Sequence, residues 1–495
     1  NNEISDILNG LGHENEINDN IIDIDITPNR GDCLSVEGIL RDLSNFYSID
    51  FNTPLYEEEI KNFNLPFKNN SNGSCNKISF LKIETVGTVE EYKPYLEDFF
   101  SELNNKKINF FTDVSNYICY EMGQPTHCYD FDKLDGEIEL KWIDSEYNFN
   151  TLVGKEIKLE NENLVFSIKD KIINLAGVMG GLETSCTSKT KSVLVECAYF
   201  EPQSIIGKSV KYDLNSDAAY KFERGVDFLR HEETLRRFIY IVNDHCKIKN
   251  LEVFVDNNNS KKNKDINIDL NKIQKILGIE VSNESCSKIL SNLGFQINGS
   301  NAVIPSYRHD ISSANDLAEE IARVIGYDNI PSEKFEIIEN KKNLHIENKI
   351  RNYLIKKGFF EIINFPFSNQ ENDQSIRLDN PLDSNKSYLR TDLKNSLIEN
   401  LLYNERRQKE SIQFFEISNI YDFKGNEINR SRKIALVVSG RMGRTYQKFN
   451  KYFDSSFLKE ILKPILKKDL PEINQISRND INTKIKNKIF YAEFN

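Results

Sequence analysis

Apolar and polar positions alternate over residues 20–27, with Ile22, Ile24 and Ile26 set against Asp23 and Asp25. A two-residue period predicts a half-buried strand. Pro28-Asn29-Arg30-Gly31-Asp32 reads as the turn that follows, and a helix is predicted to start near Ser35. Residues 78–255 alternate short apolar runs with helical stretches, which predicts one α+β domain. Two polar segments flank it, Lys68–Asn76 (KNNSNGSCN) and Asp256–Asp265 (DNNNSKKNKD), and both read as linkers. Residues 266–331 predict a compact unit. A short strand carries Ile266, Ile268 and Leu270, and two short helices close at Gly278 and Gly294. Asn298-Gly299 then turns a hairpin before a final helix. Helix, helix and hairpin together read as a winged-helix-like module. A further linker is expected around Lys341-Lys342-Asn343. Beyond it a helix runs from about Ile346 to Lys357, with Ile350 and Leu354 on its apolar face and Gly358 at its end. Strand-like runs follow at Glu361–Phe367 and Gln413–Tyr421, and the closing IFYAEF also reads as a strand.

With 495 residues, the chain has room for about three domains. A net charge of −12 weighs against non-specific nucleic-acid binding by the whole surface, though it leaves room for a local basic groove. No apolar run is long enough to cross a bilayer, and no basic start leads into an apolar signal core. The eight cysteines are scattered and form no C-x-x-C pair, which points away from zinc and towards free thiols in a reducing cytoplasm.

Candidate chemistry concentrates in Pro305–Pro331, PSYRHDISSANDLAEEIARVIGYDNIP. Asp316, Glu319 and Glu320 stand at i, i+3 and i+4 and share one helical face, with Asp310 on the turn before them. Carboxylates crowded this way repel unless something neutralises them. A hard divalent cation such as Mg²⁺ is one answer. The other is a helix dipole favouring acids in the first turn, with Arg323 pairing Glu319 from four residues on.

This block resembles the B5-domain signature of the bacterial phenylalanine–tRNA ligase β-subunit family. IDIDITPNRGDCLSVEGILRDL (22–43, with the preceding Ile21) is similar to that family's first-domain signature, and YEMGQPTHCYDFDKLDG to its G-Q-P-x-H-x-(aromatic)-D motif. INLAGVMGG, LVECAYFEP and FERGVD resemble its B3/B4 editing domain. NPLDSNKSYLRTDLKNSLIENLLYNERR and IQFFEISNIYDF look like its catalytic-like C-terminal module. The resemblance implies a multidomain α+β chain. It would hold a first-domain remnant (1–67), a B3/B4 tRNA-editing domain (78–255), a winged-helix-like B5 domain (266–331) and a class II synthetase catalytic-like module (340–495). It also implies a chain cut at both ends, lacking the family's oligonucleotide-binding and anticodon-binding domains.

For the site, the resemblance implies Mg²⁺ on Asp310, Asp316, Glu319 and Glu320. It implies an editing pocket in which Glu196 recognises a tyrosine hydroxyl, Gly180 lets backbone approach the ligand, and Ala218 leaves room for the ring. Ser216 stands where the family usually has threonine, and His127 would orient water or the ester. Read without the motif, His127 is an ordinary satisfied histidine, Glu196 an outward strand residue, and Gly180-Gly181 a turn. A second, hydrolytic site answers a real need, since a hydrophobic pocket rejects an added hydroxyl by only around a hundred-fold. No G-x-x-x-x-G-K-[ST] loop is present, and Arg390, Arg406 and Arg407 read as solvated or interface charges. The implied partners are an α subunit that binds ATP, in an (αβ)₂ heterotetramer, and tRNA(Phe), in the cytoplasm. Two other functions fit parts of the pattern: a free-standing deacylase, or a non-catalytic RNA-binding scaffold.

Overall fold

All nine residues of the strand Ser192–Phe200 are buried, because both of its faces are covered. Val193, Val195 and Cys197 face a helical layer, while Leu194, Ala198 and Phe200 face a second sheet. Period-two alternation therefore separates two cores within one apolar run. The structure, a computed structural model, describes residues 2–49, 52–258, 263–332, 334, 346–425, 427–443, 445–466, 469–477 and 486–495. The chain divides into two units, Asn1–Lys334 and Phe335–Asn495.

In the first unit, one five-stranded sheet runs in the order Lys61–Asn62, Ile248–Asn257, Cys75–Thr85, Ser192–Phe200, Thr126–Asp130. The facing sheet runs Met179–Gly180, Lys171–Leu175, Asn163–Ile168, Ile138–Ile143, Phe67–Asn70. Helices Pro94–Glu102, Phe110–Met122 and His231–His245 cover the outer side of the first sheet, where Leu96, Val114, Ile118 and Phe238 pack. Lys68–Asn76 is not a linker. Residues Phe67–Asn70 pair in parallel with Ile138–Lys141, and Asn69 Nδ2 donates to Asp256 and to the Cys75 carbonyl. Polar side chains there serve the sheet, which composition alone does not reveal. The other expected linker is shorter than read, since its strand runs to Asn257, and residues 259–262 lie outside the described residues.

The N-terminal segment packs Leu8, Leu11, Ile22, Ile24 and Leu43 against Val324 of the helix Ala314–Ile325. That helix belongs to a small module: strand Asp265–Asn267, helices Leu270–Leu277 and Asn283–Asn292, and hairpin Gln296–Asn298/Asn301–Val303. Gly278 closes the first helix in the left-handed region at φ +72°, where glycine carries no Cβ penalty.

The second unit has a five-stranded sheet ordered Phe360–Glu361, Ser411–Lys424, Glu427–Gly440, Ile489–Phe494, Asn474–Ile476. Helices Ile346–Lys356 and Ser455–Leu466 cover one face and helix Lys394–Arg406 the other. The run Glu361–Phe367 is not one strand. Only its ends pair, Pro366 offers no N–H, and Ile363 is 92% exposed. Arg390 is not a solvated charge: it is buried and donates to Glu416 and Ser418. Lys341–Asn343 lies outside the described residues.

Candidate functional site

His127 and Glu196 are direct partners in the register between Thr126–Asp130 and Ser192–Phe200. Both lie on the side of the sheet that faces the second sheet, whose own register sets Asn174 opposite Gly180. Edge strands of the two sheets thus bring His127 over Gly180. A Cβ at Gly180 would overlap His127 Cε1 and lie 2.8 Å from both His127 Nε2 and Leu152 Cδ1. Glycine is therefore required by space, not by a turn. Gly180-Gly181 is paired backbone, and Glu196, only 4% exposed, is not an outward strand residue.

A cleft of about 1450 Å³ opens here and is bordered by His127, Asn174, Gly180, Glu196, Ser216 and Ala218. All five residues expected in the pocket meet in it. Ser216 caps the helix Asp217–Arg224 by accepting from Ala219 N at 3.1 Å, and its hydroxyl donates to the Val178 carbonyl at 2.5 Å. Its serine oxygen is thus occupied structurally, and Ala218 follows on the first turn.

Glu196 Oε2 accepts from the Tyr129 hydroxyl at 2.7 Å and from Asn174 Nδ2 at 3.4 Å. Burial raises its carboxyl to about 7, against those two hydrogen bonds, which lower it. Burial alone brings His127 down to about 4, so its imidazole is neutral at pH 7. Its Nε2 is buried without a hydrogen-bond partner among the described residues. A neutral imidazole donates from one ring nitrogen and accepts at the other. Burial pushes up the Cys128 and Cys197 thiols, so neither supplies a thiolate. Tyr129 and Asn174 were not singled out from the sequence. Tyr129 is the aromatic of one motif and Asn174 stands in INLAGVMGG, which is the signal that could have found them.

The four acids of the signature block do not form one ligand shell. Arg308 donates to both oxygens of Asp310 and both of Glu320, at 2.7–2.8 Å. Asp316 completes a capping box, accepting through Oδ2 from the backbone of Ser312 and Ser313. Glu319 is exposed. Arg323 pairs not with Glu319 but with Glu320 at 2.6 Å and with Asp42 at 2.7 Å. Arg30 joins Asp42 to Asp32, completing a buried chain Asp32–Arg30–Asp42–Arg323–Glu320–Arg308–Asp310. Guanidinium groups thus balance the charge of two of the four acids, Asp310 and Glu320. His13, Cys33 and Asp42 bring ligand atoms within 4.8 Å of one another, but two guanidiniums already saturate Asp42.

Three family models match the chain: the B3/4 domain over residues 74–247, the tRNA synthetase B5 domain over 266–327, and the phenylalanyl tRNA synthetase beta chain CLM domain over 328–474. The phenylalanine–tRNA ligase beta subunit of Francisella tularensis is 29% identical over 458 residues, covering 86% of this chain and 56% of the relative. That of Psychrobacter arcticus is 29% identical over 487 residues, covering 93% and 60%. An N-terminal fragment of the phenylalanyl-tRNA synthetase beta subunit from Pyrococcus horikoshii is 15% identical with a TM-score of 0.36, covering 66% of this chain and 94% of that one. The chain spans little more than half the length of the curated relatives it matches. No helix among the described residues is long and apolar enough to cross a membrane. Three domain matches in one order, with relatives aligned across most of the chain, make this protein a member of the phenylalanine–tRNA ligase β-subunit family.

Proposed function

We propose that this chain serves phenylalanine–tRNA ligase as its β subunit and hydrolyses tyrosyl-tRNA(Phe) in the cleft between the two sheets. Aminoacylation itself would belong to an α subunit that binds ATP with Mg²⁺, in a cytoplasmic (αβ)₂ complex. The observation that carries this reading is the pairing of Glu196 with His127 over Gly180. Oε1 of Glu196 accepts from no group among the described residues and can take a phenolic hydroxyl. Gly180 and Ala218 leave room for the ring. His127, which borders the cleft, would orient the attacking water or the ester end. A cleft of about 1450 Å³ exceeds what one amino acid fills, which suits an ester still joined to its nucleotide.

Residues 340–495 would act as a catalytic-like module used for assembly. Phe360, Ile363, Phe365 and Leu382 are exposed there, apolar side chains that a partner subunit could cover. The test is hydrolysis of tyrosyl- and phenylalanyl-tRNA(Phe) by the chain assembled with the α subunit. Preferential loss of the tyrosyl ester, abolished by Glu196→Ala, is expected. Equal hydrolysis by parent and Glu196→Ala would remove the assignment.

A further inference from the structure

Tyr129 stands behind Glu196. Its ring is fully buried between the sheets and forms no part of the cleft wall, whereas Glu196 and Asn174 both border the cleft. Burial, then the Glu196 charge, pushes the phenol up, so it keeps its proton and acts as donor. Asn174 Nδ2 lies 2.8 Å from that same hydroxyl. The Tyr129 ring also packs in a T-shaped contact with His127, with centroids 4.4 Å apart at 83°. One side chain therefore abuts both polar groups of the site.

We propose that Tyr129 is the positioning residue that sets the cleft's specificity. By occupying Oε2 from the core side, together with Asn174, it leaves Oε1 as the one acceptor for an aminoacyl ester with a phenolic side chain. This inference rests on the hydrolytic reading above. A carboxylate free to turn presents either oxygen in several directions. Tethered, it presents one, and a ring lacking the hydroxyl leaves that buried acceptor unpaired, the situation in which discrimination is strongest. The titratable groups around Glu196 are Tyr129 and His127 on the neighbouring strand and the thiols of Cys75, Cys128 and Cys197. All are uncharged at neutral pH, so a titration near 7 in this site reports Glu196 itself.

The experiment is steady-state hydrolysis of tyrosyl- and phenylalanyl-tRNA(Phe) across pH by the assembled complex, with Tyr129→Phe and Asn174→Ala. Tyr129→Phe should raise KM for the tyrosyl ester by about tenfold or more, the worth of a hydrogen bond to a charged group. The change in kcat should be small. The midpoint of the pH–rate curve should move alkaline, since the lost hydrogen bond favoured the carboxylate. A packing role alone would lower thermal stability without moving that midpoint. An unchanged KM with an unchanged midpoint overturns the proposal. Should Tyr129→Phe melt below the assay temperature, Asn174→Ala decides by the same two readouts. A parent complex that does not hydrolyse the tyrosyl ester defeats the hydrolytic reading and this one together, a result distinct from an active parent with silent variants.

Discussion

Glu196 is a carboxylate kept where the fold would prefer an acid. Its folded value of about 7 lies above the 4.5 of a free side chain, with burial as the first cause. The sign follows: the fold loses stability as pH rises from about 4.5 to 7, and the loss is complete above that. Glu196→Gln removes the charge and keeps an oxygen that can accept from Tyr129. The variant should therefore melt above the parent at pH 8, by at most roughly 3 kcal/mol of stability, and equal it near pH 4. A stability gap that ignores pH would defeat this account. Among the cleft residues, His127, Gly180, Glu196, Ser216 and Ala218 were legible only through the family resemblance. Tyr129 and Asn174 lie inside the same motifs, but nothing in the sequence ties them to Glu196, because those contacts span 67 and 22 residues and depend on two sheet registers. No spacing rule reaches across sheets.

The helix Ala314–Ile325 was legible as an element from the spacing of its acids, while its Ser313 cap and its end at Gly326 come from the structure. Its partners were not. A rule of i, i+4 pairs Glu319 with Arg323, yet Arg323 turns to Glu320 and to an aspartate 281 residues away. Burial would raise the Glu320 carboxyl, but hydrogen bonds and charge from Arg308, then Arg323, hold it down at about 2. Its stabilisation is full above about pH 4.5 and is lost as pH falls towards 2. Glu320→Ala should thus cost about 3–5 kcal/mol at neutral pH, because two arginines stay buried without it. Glu319→Ala, at an exposed position, should stay within about 0.5 kcal/mol. Chemical denaturation of both variants, with and without a chelator, checks this. Equal losses, or a chelator effect as large as that of Glu320→Ala, would return the block to metal binding. Short polar strands such as Phe67–Asn70 escaped the sequence for a related reason: their pairing partner, not their composition, makes them strands.

The second unit keeps an ordinary two-faced core while leaving Ile363 92% and Phe365 77% exposed on the stretch beside Pro366. Ile363→Asp should abolish co-elution with the α subunit in size-exclusion chromatography and leave the chain's own melting unchanged. Retained co-elution would put the interface elsewhere. In the first unit, the buried lattice of arginines and acids carries a lesson about synthesis. Asp42 leaves the ribosome 281 residues before Arg323. Until then the aspartate has Arg30 but lacks its second guanidinium, and Leu43 lacks the wall that Val324 offers. The segment carrying Asp42 and Leu43 is thus translated well before the helix that completes its packing, and its full set of ion pairs can close only once that helix has emerged.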